Sequence, residues 1–235
     1  MNHKLITSTL AMSLFVPCAF ASPYIGIEAI QIQQRFKAGF GKKQFSQYPQ
    51  SYNAFAGFKL SNHFGLEAGY ELQPKTILDK ILVAGDQLPG QPVLVNNQSR
   101  SVQSYYYARH PYLGFFAEYH NHFTFQFLLG ASAAMVTAHQ TLISSNIGNY
   151  DPPIINRYYK SKVIPIVKIS ATGYITRNLG IRLSINYKHM GGFAIVSENS
   201  SFNRPSIIKM QDAFGIGIGV KYILFKARHW KNFSD

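Results

Sequence analysis

The chain of 235 residues carries 14% charged residues, against about 25% in a typical soluble domain, and 14% aromatic residues. Its formal net charge of +13 predicts anionic partners but leaves the fold open. After residue 21 no stretch approaches about 18 uninterrupted apolar residues, which excludes a membrane-spanning helix by sequence pattern. Two classes remain: soluble exported proteins and membrane barrels built from strands.

The N-terminus has the pattern of a secretory signal peptide. Lys4 belongs to a short basic start, and Leu5–Val16 is an apolar run that is too short to span a bilayer. Ala19-Phe20-Ala21 then matches the small-x-small pattern of a cleavage site, so we predict cleavage after Ala21. Cleavage would remove Cys18, the only cysteine, and leave a chain stabilised by a large core or a membrane rather than by disulfides.

Eight segments that follow show the period-2 alternation of strands, and Phe123–Thr137 is the clearest. Pro111 and Pro165 cannot donate a ladder hydrogen bond, so we expect a bulge or the membrane surface at each. Ile30 and Ile32 break the parity of the first segment. The predicted strands are Pro23–Gln33, Tyr52–Leu60, Phe64–Leu72, Ser104–Tyr119, Phe123–Thr137, Lys162–Ile175, Gly180–Lys188 and Lys209–Phe225.

The connections alternate between short turns and long loops. Three short polar turns lie at Ser61–His63, His120–His122 and Thr176–Asn178, each between two alternating segments as in a hairpin. Three turns and four loops connect eight strands and place both termini on the turn side, the layout of bacterial outer-membrane barrels. The long polar stretches are Gln34–Ser51, Gln73–Gln103, Ala138–Ser161 and His189–Ile208.

The chemistry of the polar face distinguishes a membrane barrel from a soluble one. A soluble barrel would turn its apolar face inward and carry long charged side chains outside. Here the polar face is rich in Gly, Ser and Thr, which suit a crowded lumen, and the other face carries the Phe, Leu, Ile and Val suited to lipid. Arg109 and Asp212 are exceptions on the lipid face, towards the loop ends of their strands. We predict a closed antiparallel transmembrane β-barrel of about eight strands over residues 22–225, between a signal peptide at 1–21 and a basic tail at 226–235.

Nine charged residues share the polar parity, and their near-balance suits a narrow interior where an unpaired charge costs several kcal/mol. Lys59 and Glu67 flank the first turn on neighbouring strands, so we expect them to be partners. Glu28 and Lys221 become neighbours only if the first and last strands pair. We interpret the set as a plug of internal salt bridges, with an ion pathway as the alternative. Its members are Glu28, Lys59, Glu67, Glu71, Glu118, Lys168, Arg182, Lys188 and Lys221.

Several segments resemble the superfamily of small outer-membrane barrels, which includes the OmpA transmembrane domain, OmpX-like and opacity-type surface proteins. The resemblance spans residues 23–225 and rests on Pro23–Gly26, Ala56–Phe58, Phe64–Tyr70 and Ala171–Leu179. It implies a monomer in the cell outer membrane, inserted by the barrel-assembly machinery, with variable surface loops. The family usually ends in an aromatic residue, whereas this chain continues past Phe225 with the basic tail.

Enzymatic and metal sites have weak sequence support. Lipid A deacylases carry a His-x-Ser pair near the seventh strand, but His189 is followed two residues later by Gly191, where the nucleophile would stand. His63, His120 and His122 lie in turns without carboxylate or cysteine companions, so we expect no metal and no cofactor.

The basic residues of the loop side are the stronger functional candidates. Lys and Arg gain from charge-assisted bonds to phosphate, so we expect contact with lipopolysaccharide, while export argues against nucleic acid. We therefore predict a non-enzymatic surface or structural barrel, with a small solute channel and then a lipid-modifying enzyme as alternatives. The candidate contacts are Arg35, Lys37, Lys42, Lys43, Arg157, Lys160, Lys162 and Arg204.

Overall fold

The structure, a computed structural model, describes residues 22–38, 44–82, 99–145, 154–195 and 208–225. The predicted signal peptide and basic tail lie outside these ranges. No helix in the described part of the chain is long and apolar enough to cross a membrane. The strands are β1 (Pro23–Ala38), β2 (Gln44–Gln47), β3 (Gln50–Lys59), β4 (Phe64–Leu82), β5 (Ser99–His120), β6 (Thr124–Ser145), β7 (Ile154–Tyr174), β8 (Leu179–Lys188), β9 (Phe193–Ile195) and β10 (Ile208–Ile223).

Eight of these strands form a closed antiparallel barrel, which confirms the predicted fold class. β1, β3 to β8 and β10 pair in chain order, and β10 pairs back with β1. Paired residues followed once around the barrel from Tyr24 return to β1 ten residues later, at Gln34. In a barrel of this size, strands tilt by about 35–45° and side chains fill the interior.

The three predicted short turns join β3 to β4, β5 to β6 and β7 to β8, and we call their side of the barrel the turn end. At the opposite loop end, β2 pairs with β1 beyond the reach of β3, and β9 pairs with β10 beyond β8. Gly191 and Gly192 separate β8 from β9 with φ angles of 58° and 66°, a left-handed backbone that glycine adopts at little cost.

Several strands are longer than predicted, and this corrects the predicted loops. β4 continues to Leu82, β5 begins at Ser99, β6 continues to Ser145 and β7 begins at Ile154. Strands of 19–22 residues are about twice as long as the 9–11 residues that cross a bilayer. A strand segment beyond the bilayer has no lipid to face, so its sequence needs no apolar alternation, the pattern on which the prediction depended.

The outer surface of the barrel carries a belt of exposed apolar side chains. Ile181, Leu183, Ile185 and Tyr187 on β8 are 40–56% exposed, and β6 and β10 show the same pattern. An apolar surface that runs around the molecule far exceeds the few hundred Å² that a soluble monomer tolerates. The belt therefore faces lipid, as predicted.

The interior has a polar zone at the turn end and an apolar zone at the loop end. The apolar zone explains Ile30 and Ile32, which were predicted to break the parity of the first strand. Both are buried, so the parity is unbroken and the interior itself changes from polar to apolar. The residues of the apolar zone include Ile30, Ile32, Phe36, Tyr106, Ala108, Ala134, Val136, Ile164, Met190 and Met210.

The two strand prolines do not mark bulges, so of the two expectations for them the bulge is wrong. Pro111 pairs with Tyr70 and Pro165 with Ala131 in ladders of constant register. Pro165 lies where the ladder between β7 and β8 ends, so its missing N–H costs no ladder bond to β8. Register shifts occur instead between Gln73 and Thr76 and between Gln34 and Phe36.

Candidate functional site

All nine predicted interior charges are at most 7% exposed and lie inside the barrel. Every one of the four carboxylates has a basic partner within 4 Å. Four bases therefore satisfy four acids one to one, and the fifth base shares a carboxylate at the turn end. The pairs are Glu67–Arg182, Glu28–Lys168, Glu71–Lys188 and Glu118 with both Lys59 and Lys221.

The central pair joins Glu67 of β4 to Arg182 of β8 across the lumen. The guanidinium donates to both carboxylate oxygens, at 3.0 and 3.4 Å, and both side chains are fully buried. Tyr24 and Tyr112 donate their hydroxyls to the same carboxylate, at 2.8 and 3.0 Å. A bidentate Arg–carboxylate pair with further donors is the arrangement in which a buried ion pair is best compensated.

Two further pairs lie between the central pair and the apolar zone. Lys168 Nζ is 2.5 Å from Glu28, which also accepts hydrogen bonds from Ser184 and, at 3.2 Å, from Asn53. Glu71 accepts a hydrogen bond from Lys188 and another, at 3.0 Å, from the Ser51 hydroxyl. Successive pairs thus join strands on opposite sides of the lumen.

The pairing corrects the predicted partner of Lys59. Lys59 binds Glu118, at 2.7 Å, rather than Glu67. Glu28 and Lys221 lie on the paired strands β1 and β10, but Lys221 faces Glu118, at 3.5 Å. In a tilted barrel a long side chain reaches across the lumen to a group at its own height, whereas sequence reasoning paired residues on adjacent strands.

Aromatic rings and glycines fill the rest of the polar zone. A Cβ added at Gly57 would lie 2.4 Å from the Tyr24 ring, and one added at Gly69 would lie 2.5 Å from the Tyr112 ring. Each ring thus occupies space that only glycine leaves open. The guanidinium of Arg182 lies 4.4 Å from the centre of the Phe55 ring, which adds a cation–π contact to the central pair.

Basic side chains continue past the apolar belt at the loop end. On β1 the exposed residues change from Ile25 and Ile27 to Arg35 and Lys37, and Lys37 lies directly opposite the exposed Lys209 of β10. We call Arg35, Lys37, Lys160, Lys162 and Lys209, all exposed, the basic rim. Of the other predicted contacts, Lys42, Lys43 and Arg204 lie outside the described residues, and Arg157 lies in β7 with its side chain undescribed.

No known family model matches the sequence, and no curated protein matches it either. Among solved structures, the barrel is similar to Ail, the attachment invasion locus protein of Yersinia pestis, at 14% identity and a TM-score of 0.44, covering 86% of this chain and 99% of that one. It is similar to Neisserial surface protein A at 12% identity and a TM-score of 0.42, covering 86% of this chain and 98% of that one. It is also similar to the outer membrane protease OmpT from Escherichia coli at 11% identity and a TM-score of 0.50, covering 86% of this chain and 96% of that one. The chain has the fold of the outer-membrane β-barrels. With the apolar belt, this confirms the predicted resemblance and location, and in this fold the turn end faces the periplasm.

The structure of this outer-membrane barrel adds a polar cluster that sequence reasoning missed. On the outer surface, His189 Nδ1 lies 3.0 Å from Asp212, and the Tyr187 hydroxyl donates to the same carboxylate at 2.7 Å. The sequence offered Asp212 only as an exception on the lipid face, because its register opposite β8 was unknown. No cluster of three metal-ligating side chains occurs in the described ranges.

Proposed function

We propose that the protein is a non-enzymatic, non-conducting outer-membrane barrel whose basic rim binds the phosphates of lipopolysaccharide. The observation that carries the proposal is the position of the rim, which begins where the exposed apolar residues of β1 and β10 end. Side chains at this height stand at the headgroups of the outer leaflet. Arginine and lysine form charge-assisted hydrogen bonds with phosphate there.

The register of β1 and β10 supports an anionic partner. Lys37 and Lys209 are paired across the two strands, and like charges that face each other directly destabilise a sheet. Arg35 lies two residues from Lys37 on the same face, so three cations share one patch. A phosphate bound between them would replace this repulsion by attraction.

The filled interior supports a role at the surface rather than in transport. The ion pairs cross the lumen in the polar zone, and buried apolar side chains close the loop end. In eight-stranded barrels the interior is just wide enough for side chains.

The His189–Asp212 pair has two parts of an acid–base arrangement, which bears on the enzyme alternative. The position two residues after His189, where a deacylase carries its serine, is Gly191 with a φ of 58°. That backbone conformation disfavours any residue with a side chain. The chain therefore departs from the deacylase pattern in conformation as well as in sequence.

Charge reversal in the basic rim is expected to weaken lipopolysaccharide binding. Each lysine near an anionic membrane surface contributes about 1 kcal/mol, and the new carboxylate adds repulsion. Lys209→Glu should therefore lower affinity at least about fivefold, and the double variant Lys37→Glu/Lys209→Glu at least about 30-fold. Binding is measured with immobilised refolded protein in a neutral detergent at low ionic strength. The difference should vanish with dephosphorylated lipopolysaccharide.

Asn62→Glu is the control, because it adds an exposed negative charge in a turn at the periplasmic end, away from the basic rim. It should leave the affinity unchanged. An equal loss in Asn62→Glu and Lys209→Glu, or no loss in the double variant, would contradict the proposed role of the basic rim.

A further inference from the structure

A cavity of about 250 Å³ lies at the periplasmic end of the lumen, on the opposite side of the barrel from the basic rim. The start of β1 and the turns after β5 and β7 border it. Its volume is many times the roughly 10–15 Å³ that one water needs. Tyr24, Tyr174 and Ile223 provide ring and apolar walls, and Thr124 and Thr176 add hydroxyl groups.

The charges around the cavity are unbalanced. Lys59, Lys221 and Arg177 line it, and the described residues of its lining include no carboxylate. Glu118 lies behind the two lysines and binds both of them, at 2.7 Å from Lys59 and 3.5 Å from Lys221. One carboxylate therefore serves two ammonium groups, and the surplus base of the interior lies at this cavity.

Of the two lysines, Lys221 makes the longer contact with Glu118. Its side chain is 1% exposed, and its ammonium lies 3.9 Å from the centre of the Tyr24 ring. An ammonium group has three hydrogen-bond donors, and a buried charge needs more compensation than one long hydrogen bond and a ring face give. Lys221 is also among the residues that line the cavity, so an anion bound there would add a further acceptor for it.

We infer that this cavity binds a small oxyanion, a phosphate or carboxylate group, that enters from the periplasm. Lys221 and Lys59 supply the charge at its inner end, and Arg177 supplies a third cation at the turn. The aromatic walls suit an apolar portion of the ligand. This inference is independent of the basic rim, because the two sites lie at opposite ends of the barrel.

Calorimetric titration of the refolded full chain with inorganic phosphate tests the inference, in a maltoside detergent at low ionic strength. Lys221→Met should bind phosphate at least tenfold more weakly, and it should still fold because Lys59 remains paired with Glu118. Glu118→Gln should bind at least threefold more tightly, because both ammonium groups lose their internal competitor. Lys75→Met, which removes an exposed lysine at the other end of the barrel, is the control and should bind as the parent does.

The slower electrophoretic mobility of the boiled protein confirms folding of each variant. If Glu118→Gln fails to fold, Lys59→Met replaces it as the second variant beside Lys221→Met, and it should likewise bind phosphate more weakly than the parent. Bicelles of phosphatidylglycerol then separate two sources of the oxyanion. If the bicelles compete with phosphate, the cavity binds lipid headgroups. If the affinity for phosphate is unchanged in their presence, the cavity binds a free periplasmic anion. Absence of binding at millimolar phosphate, or equal binding by the parent and Lys221→Met, would overturn the inference.

Discussion

Replacement of Arg182 by methionine is expected to lower the free energy of unfolding by about 3–5 kcal/mol. Glu67 would stay buried with its charge and keep only the neutral donors Tyr24, Tyr112 and Gln126. Removal of one member of a buried ion pair is costly because the other charge is left uncompensated. Urea unfolding of the refolded barrel in lipid vesicles, followed by the electrophoretic shift of the folded form, measures the loss.

The double variant Arg182→Met/Glu67→Gln is the control, because it removes both charges and keeps the volume. It should recover most of the lost stability, since a buried pair replaced as a unit costs little. If the double variant is as unstable as the single one, packing at Arg182 rather than charge would explain the loss, and the interpretation of the lumen as a salt-bridged plug would be wrong.

A charge placed in the middle of the lipid-facing belt should have a similarly large effect. Leu183 is 56% exposed and is central among the outward-facing residues of β8. Leu183→Arg is expected to destabilise the inserted barrel by about 2–4 kcal/mol, the cost of an arginine near the bilayer midplane. Equilibrium unfolding from vesicles measures this difference, and Phe127→Arg on β6 should behave in the same way.

Two matched arginine substitutions separate the energetic cost of placing a charge in lipid from the cost of fitting the same side chain elsewhere in the barrel. Gln33→Arg lies on the outward parity of β1 beyond the apolar belt and should cost about 0–1 kcal/mol. Ser184→Arg places the same group inside the barrel, against Glu28, where the cost is one of packing and does not depend on bilayer thickness. If Leu183→Arg and Ser184→Arg respond identically to vesicles of different lipid length, the assignment of the two faces is wrong.

Local alternation was sufficient to predict the barrel because each membrane-crossing strand has one face in lipid and one in the lumen. Ser184 and Leu183 are neighbours in sequence, and the structure buries the first and exposes the second. The short turns were also predictable, since polar residues interrupt the alternation there. Closure of the barrel was predicted from the alternation of short turns and long loops, and the pairing of β1 with β10 confirms it.

The ion-pair partners could not be predicted, because they depend on the stagger of the whole barrel. Lys59 is near Glu67 along the chain, yet its partner Glu118 lies on β5, which is not adjacent to β3. The outer parts of β4 to β7 were missed for a different reason. They hydrogen-bond to each other through the backbone, and backbone pairing alone imposes no apolar period on the sequence.

Planar-bilayer recording of the refolded protein tests the central claim, that a filled lumen leaves the function to the surfaces of the barrel. We expect the parent protein to show no stable conductance steps. Lys59→Ala should also stay silent, because Glu118 keeps Lys221 as a partner and the pairs above it are untouched. Large, reproducible steps from the parent protein would contradict the account and favour the solute-channel alternative.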